Sequence, residues 1–281
     1  MSSPATLGPV TALALSCHPL PTVAVTSMAT VLLMAAGNTA PVVIVAIVAV
    51  LSGQLSIGWS NDLVDRTRDR AVGRRDKPLA IGTVSPHTVT IAAVVSVVVT
   101  VVASLALGWR AGCAQLVVVA AGWLYNLLLK STALSPLPFL IAFGSLPAVA
   151  TLALPDPRWP TLAVLVAAGL IGVAAHAGNV LPDLADDAAT GVRGLPHRMD
   201  RFGAALAASA CAVAAIVLVL AVARPSLGWV VLTLVAAVTL AVLGLVLVRR
   251  TARSEAAFYT TMAIAALGVA LIVTTGSLTY S

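Results

Sequence analysis

Charge is scarce in this chain. Sixteen Lys and Arg and ten Asp and Glu among 281 residues make up 9% of it, against roughly 25% in soluble domains. Water is therefore not its main solvent. Cysteine is rarer still: Cys17, Cys113 and Cys211 stand alone, without the paired spacing of a zinc site or a redox motif, and are read as packing residues. The opening segment up to Cys17 lacks the basic stretch and short apolar core of a cleaved signal peptide. Insertion by the first apolar helix is the simpler expectation. No linker or low-complexity stretch divides the sequence, so residues 1–281 are read as a single transmembrane domain. The pI of 9.9 does not point to nucleic acid, because no basic domain outside the membrane is available to hold it.

What the chain has in abundance is apolar length: 60% of residues are hydrophobic. A helix needs about 20 apolar residues to cross the hydrocarbon layer. Nine such runs are expected, at 20–38, 40–60, 86–107, 112–130, 134–154, 160–182, 202–222, 227–248 and 256–278. The predicted fold class is thus all-α, a polytopic integral-membrane helical bundle. Several runs are rich in Val, but an outer-membrane barrel would alternate polar and apolar positions, and Val94 to Leu107 does not. Basic residues favour cytoplasmic loops. Thirteen of the 16 fall after the second, fourth, sixth and eighth runs, leaving Arg110, Arg158 and Arg224 for the other side. That asymmetry predicts a cytoplasmic N-terminus. Arg249, Arg250 and Arg253 are read as topology signals of this kind.

The few acids are concentrated. Eight of the ten (Asp62, Asp65, Asp69, Asp76, Asp183, Asp186, Asp187 and Asp200) lie in or just after two copies of one pattern, over 61–73 and 179–191. Each copy reads Asn-x3-Asp-x3-Asp-x3-Gly at the end of an apolar run: Asn61, Asp65, Asp69, Gly73, then Asn179, Asp183, Asp187, Gly191. The repeat suggests related halves, with both copies on the cytoplasmic side. Charge in so apolar a sequence needs a chemical reason.

Helical geometry supplies one. Positions four apart advance by only about 40° on the wheel, so each Asn-Asp-Asp set shares a face. Two such faces meeting inside a bundle would gather four carboxylates and two amide oxygens. Mutual repulsion would then raise their pKa values, so a cation is expected. Hard oxygen ligands suit Mg2+, which keeps positions for water and substrate phosphates. The expected metal ligands on these faces are Asn61, Asp65, Asp69, Asn179, Asp183 and Asp187, with Asp186 added because it falls near Asn179 on the wheel. A metal-loaded site of this sort suits a diphosphate. The basic run Arg66, Arg68, Arg70, Arg74, Arg75 and Lys77 after the first copy, and Arg193 and Arg198 after the second, offer guanidinium forks for phosphate oxygens.

These residues resemble the UbiA superfamily of intramembrane prenyltransferases. The first family motif, Asn-Asp-x-x-Asp-x-x-x-Asp, is matched by Asn61, Asp62, Asp65 and Asp69. The basic stretch that follows it, ending in Lys-Pro-Leu and a Gly, is matched by Arg75 to Gly82. The second motif is matched by Asp183, Asp187, Gly191, Leu195 and Pro196. Tyr125 and Lys130 resemble the family's Tyr and Lys at the end of the fourth helix, usually assigned to the diphosphate. The resemblance covers the whole chain. It departs at His18, where many relatives have Arg, and at Ala188, where a basic residue often stands.

The resemblance implies Mg2+-dependent transfer of a prenyl group from a prenyl diphosphate to an aromatic or lipid-like acceptor within the membrane. Asp65, Asp69, Asp183 and Asp187 would be catalytic, and Asp62 of the first motif would join the metal ligands. Arg68, Lys77, Tyr125, Lys130 and Arg193 would bind the diphosphate. Trp59, Trp123, Phe139 and Phe143 are candidates for facing a carbocation. No obligate protein partner is implied. Within the same fold, a terpene cyclase and phosphoribosyl transfer to a polyprenyl phosphate are alternatives; 4% aromatic content speaks against the cyclase. A transporter is a reading from another class, but carriers place their sites near the midplane. Asp76 and Asp200 are read as surface charges, and His176 as a core histidine. His18, His87 and His197 carry no signal. Pro182 is expected to free a backbone carbonyl near Gly178.

Overall fold

In a computed structural model, the structure describes residues 8–251, 255–276 and 278. Arg253 lies outside them. Twelve α-helices follow one another: α1 (Pro9–Leu15), α2 (Pro19–Ala35), α3 (Ala40–Ala71), α4 (Pro78–Ile81), α5 (Pro86–Ala106), α6 (Trp109–Leu124), α7 (Leu137–Leu152), α8 (Leu162–Val180), α9 (Leu184–Ala189), α10 (Arg201–Ala223), α11 (Leu227–Arg250) and α12 (Ala256–Thr275). Among the described residues there is no strand, as lipid demands of backbone that must satisfy its own hydrogen bonds.

Each of the nine expected runs contains one long helix, and the chain is an integral membrane protein. Among the described residues, seven helical segments are long and apolar enough to cross a membrane, and α1 with α2, bent by 65°, gives an eighth, so nine is an approximate count. The remaining helix, α7, is 16 residues long and carries Pro147 inside it.

Local chemistry sets the ends. Proline occupies the first turn of α1, α2, α3, α4, α5 and α7, where its missing N–H costs nothing. Ser85, Thr161 and Asp200 accept from the backbone N–H three residues on. Asp200, read as a surface charge, is thus also a helix cap.

Neighbours in sequence pack as neighbours in space: α2 on α3, α3 on α5, α5 on α6, α6 on α7, α7 on α8 and α8 on α10. Helix α12 then packs on α8, α10 and α2, and closes the ring, while α11 rests outside on α10 and α12. The core is built largely from Ala, including Ala46, Ala49, Ala174, Ala208 and Ala212; small side chains let apolar helices approach closely. Two close approaches matter for the site. Gly58 brings α3 against the Cys17 carbonyl, and Gly178 brings α8 within 2.9 Å of the Phe258 backbone, measured from where a Cβ would stand. Cys17 is buried and Cys211 half-buried, whereas Cys113 is exposed on the outer face of α6, contrary to its reading as a packing residue.

Candidate active site

The 32 residues of α3 form one unbroken helix, so the fourfold spacing of the first motif survives intact. Gln54, Gly58, Asn61, Asp65 and Asp69 line one central cavity of about 220 Å3. The second motif reaches the same cavity by another route. Helix α8 ends at Val180, a tighter 3-10 turn occupies Leu181–Asp183 around Pro182, and α9 resumes at Leu184. Asn179, Asp183 and Asp187 nevertheless all line the wall.

Two expected ligands do not. Asp186 is absent from the lining, because its place on the wheel assumed a continuous helix that the 3-10 turn interrupts. Asp62 is 1% exposed and turned away from the cavity, where its Oδ1 accepts from Lys77 Nζ at 2.8 Å and lies 3.0 Å from His18 Nε2.

Of the four wall carboxylates, two have a cation of their own and a third meets a histidine. Asp65 accepts from both Arg68 and Lys130. Asp183 Oδ1 accepts from Arg74 Nη1 at 3.1 Å, and Asp187 Oδ2 lies 3.0 Å from His197 Nε2. Among the described residues, Asp69 is the cavity carboxylate without an ion pair. Among these residues, too, no three His, Cys, Asp or Glu side chains group around a point that would hold a metal ion. The donor set itself, four carboxylates and two amide oxygens lining one cavity, is the hard-oxygen kind that suits Mg2+, so its chemistry fits.

The amides are held by their own network. Asn61 Nδ2 donates to Asn126 Oδ1 at 3.1 Å, and Asn126 Nδ2 donates to the Ile57 carbonyl and to Ser60 Oγ. The Asn61 oxygen is left as an acceptor. Asn126 belongs to a π-helical turn, Tyr125–Leu129, in which Lys130 N donates to the Tyr125 carbonyl five residues back. Such wide turns recur at functional sites, and this one places Tyr125, Asn126 and Lys130 together on the wall.

Of the expected diphosphate groups, Lys77, Tyr125 and Lys130 line the cavity. Arg68 turns to Asp65 instead, and Arg193 is exposed in the loop after α9. Sequence reasoning passed over Arg74 within the basic run it had noted. Arg74 does line the cavity, and it bridges the two motifs by donating to Asp76 (2.9 and 2.8 Å) and to Asp183. The Asp76 carboxylate beside it holds the guanidinium still more firmly charged, and Arg74 in turn holds the Asp76 carboxyl down at about 2. His18, the position where many relatives have Arg, also lines the wall.

The far wall is apolar: Val25, Val118, Ala142, Phe143 and Leu146. Phe139 and Phe143 line the cavity, whereas Trp59 and Trp123 are spent on hydrogen bonds to the Leu13 carbonyl and to Ser56 Oγ. His176 is buried behind the wall, stacked on Phe139 with ring centroids 4.6 Å apart. Ser135 Oγ accepts from Leu195 N and lies within hydrogen-bond distance of His176 Nε2, at 3.0 Å. That leaves His176 Nδ1 without a partner, a half-satisfied core histidine.

Comparison with known proteins bears on the family and the fold. The model of the UbiA prenyltransferase family matches residues 3–267. No curated protein matches the chain. Among solved structures, a UbiA homologue from Aeropyrum pernix K1 is 19% identical, with a TM-score of 0.72 over 91% of this chain and 98% of that one. A UbiA homologue from Archaeoglobus fulgidus, solved with GPP and Mg2+, is 12% identical, with a TM-score of 0.69 over 92% and 97%. A digeranylgeranylglyceryl phosphate synthase is 14% identical, with a TM-score of 0.65 over 96% and 99%. Identities this low speak for the fold alone.

Proposed function

The chain belongs to the UbiA prenyltransferase family, and we propose that it transfers the prenyl group of a prenyl diphosphate to an aromatic or lipid-like acceptor inside the membrane. One observation carries the reading. Both Asn-Asp-Asp sets and the cations Arg74, Lys77 and Lys130 line one cavity whose other end is apolar, which is the polarity of a diphosphate joined to a hydrocarbon. The Archaeoglobus fulgidus relative solved with GPP and Mg2+, and with DMAPP and Mg2+, supports the same substrate class.

On this reading Asn61, Asp65, Asp69, Asn179, Asp183 and Asp187 would hold Mg2+. Bound there, it would neutralise the diphosphate and ease its departure. Lys77, Arg74 and Lys130 grip the phosphate oxygens, and the Tyr125 hydroxyl donates a further hydrogen bond. Arg74 and Lys130 exchange their carboxylate partners for phosphate as the substrate enters. These groups stabilise charge where it develops: the allylic C–O bond breaks with its electron pair going to the diphosphate. The acceptor then bonds to the allylic carbon and loses a proton. Phe139, which lines the cavity beside Tyr125, is the aromatic side chain that would steady the cationic carbon. The whole chain acts as one transmembrane domain, and the positive-inside asymmetry places the acidic end in the cytoplasm.

The test is diphosphate release by the protein in nanodiscs, with and without Mg2+, across geranyl, farnesyl, geranylgeranyl and decaprenyl diphosphates and a set of phenolic and lipid acceptors. Release that requires an acceptor and yields a prenylated product is the expected outcome. Acceptor-free release of a cyclic product would move the reading to a terpene cyclase, and no release from folded protein would overturn it.

A further inference from the structure

Beneath the active-site cavity lies a second one of about 50 Å3, and every residue that lines it is apolar. The two are stacked end to end. Helices α2, α7, α8 and α12 each contribute to both, in the same order along their length. On α2, Thr22 and Val25 line the upper cavity, and Met28 and Leu32 the lower. On α8, which runs the other way, Ala175 and Asn179 are above and Ala168 and Ile171 below; on α12, Phe258 and Met262 are above and Ile264 and Gly268 below. Two residues alone line both spaces: Phe143 and Leu146 of α7.

We propose that Phe143 and Leu146 form a partition that sets the length of prenyl chain the enzyme accepts, and that the lower cavity is the room they withhold. The inference rests on the proposed prenyl transfer. With the diphosphate anchored at Arg74, Lys77 and Lys130, the hydrocarbon is measured from a fixed point, and its tail runs down toward α7. Phe143 stands where α7 and α8 press together: a Cβ on Gly172 would lie 2.8 Å from the Phe143 Cβ, so the helix cannot back away. Leu146 is 3% exposed and equally confined. Pro147, next in the helix, lines only the lower cavity. Apolar cavities of this kind stay dry and accept hydrocarbon, so removing the partition opens usable space and not a water-filled void.

The experiment compares kcat/KM for prenyl diphosphates of increasing length in the unaltered protein, Phe143→Ala, Phe143→Leu and Leu146→Val, all in nanodiscs. Phe143→Ala is expected to raise the ratio of longer to shorter substrate by about tenfold or more, in the range a hydrophobic pocket discriminates. Phe143→Leu and Leu146→Val, which disturb packing less, should shift it in the same direction by smaller factors. Adding Ala168→Leu to Phe143→Ala refills the lower cavity and should reverse the shift. Unchanged ratios in the variants that turn over would overturn the partition and mean that the chain leaves sideways into lipid. Absence of turnover at every length in the unaltered protein would count instead against prenyl transfer itself.

Discussion

The two acidic motifs have the same spacing and different backbones. The first rides an unbroken helix and is deep: the Asp65 side chain is 10% exposed, held between Arg68 and Lys130. The second passes through a 3-10 turn and is shallower, with the Asp183 side chain 40% and the Asp187 side chain 23% exposed. A repeated sequence therefore builds one buried wall and one looser wall of the same cavity. Ion pairs in the first stand in low dielectric, where losing one partner strands the other. The Arg74–Asp183 pair of the second is more open to screening by solvent. Arg74 joins the walls, reaching from the loop after α3 to Asp183.

The sharpest test of that contrast is to remove one acid from each wall. Asp65→Ala and Asp183→Ala should each cut turnover by at least about a hundredfold, as loss of charge stabilisation does. Their stabilities should part company. Asp65→Ala leaves the half-buried Arg68 and Lys130 without their carboxylate and should cost about 2 kcal/mol, lowering the melting temperature in detergent, whereas Asp183→Ala should leave it nearly unchanged. Equal melting temperatures would remove the distinction between the walls.

Next in size is the link between them. Arg74→Ala should raise KM for the prenyl diphosphate about tenfold, the worth of one charge-assisted hydrogen bond, with kcat falling less. A KM equal to that of the unaltered protein would show that Arg74 only tethers Asp183. Pro182→Ala then asks whether the break in the second motif matters. Restoring the missing N–H lets the turn relax toward α-helix and rotates Asp183 and Asp187, so activity should fall by several-fold; full activity would mean that spacing alone suffices.

The smallest effect concerns Asp76. Its folded pKa near 2 lies below the unfolded value of about 3.9. The group therefore contributes stability that is fully present above about pH 4 and lost as pH falls through 2. Because the Asp76 side chain is 61% exposed, that contribution is slight. Denaturation profiles of Asp76→Asn and the unaltered protein should coincide at pH 3 to within a small shift, with activity at neutral pH changed by no more than about twofold. A large loss of activity would promote Asp76 from steadying Arg74 to a role in the reaction.

Much of this site was legible before the fold was seen. The face shared by Asn61, Asp65 and Asp69 followed from helical rise, because nothing in α3 interrupts it. The same reasoning failed at Asp186, where Pro182 rephases the chain, and at Asp62, whose neighbours His18 and Lys77 come from other segments. Nor could periodicity find Arg74 among the arginines of its run, or the π-helical turn that brings Asn126 to the wall, since both depend on what lies opposite.

Hydropathy by itself determined a bundle of membrane helices, since apolar runs this long have no other way to satisfy their backbone in lipid, and the duplicated spacing marked six residues that line the shared cavity. Only the tertiary structure decided which acids face the shared cavity, which are turned to their own cations, and where Phe143 and Leu146 divide the space beneath. Those choices hang on contacts between helices far apart in the chain, and helices this apolar on every side carry no stripe from which their inward faces can be read.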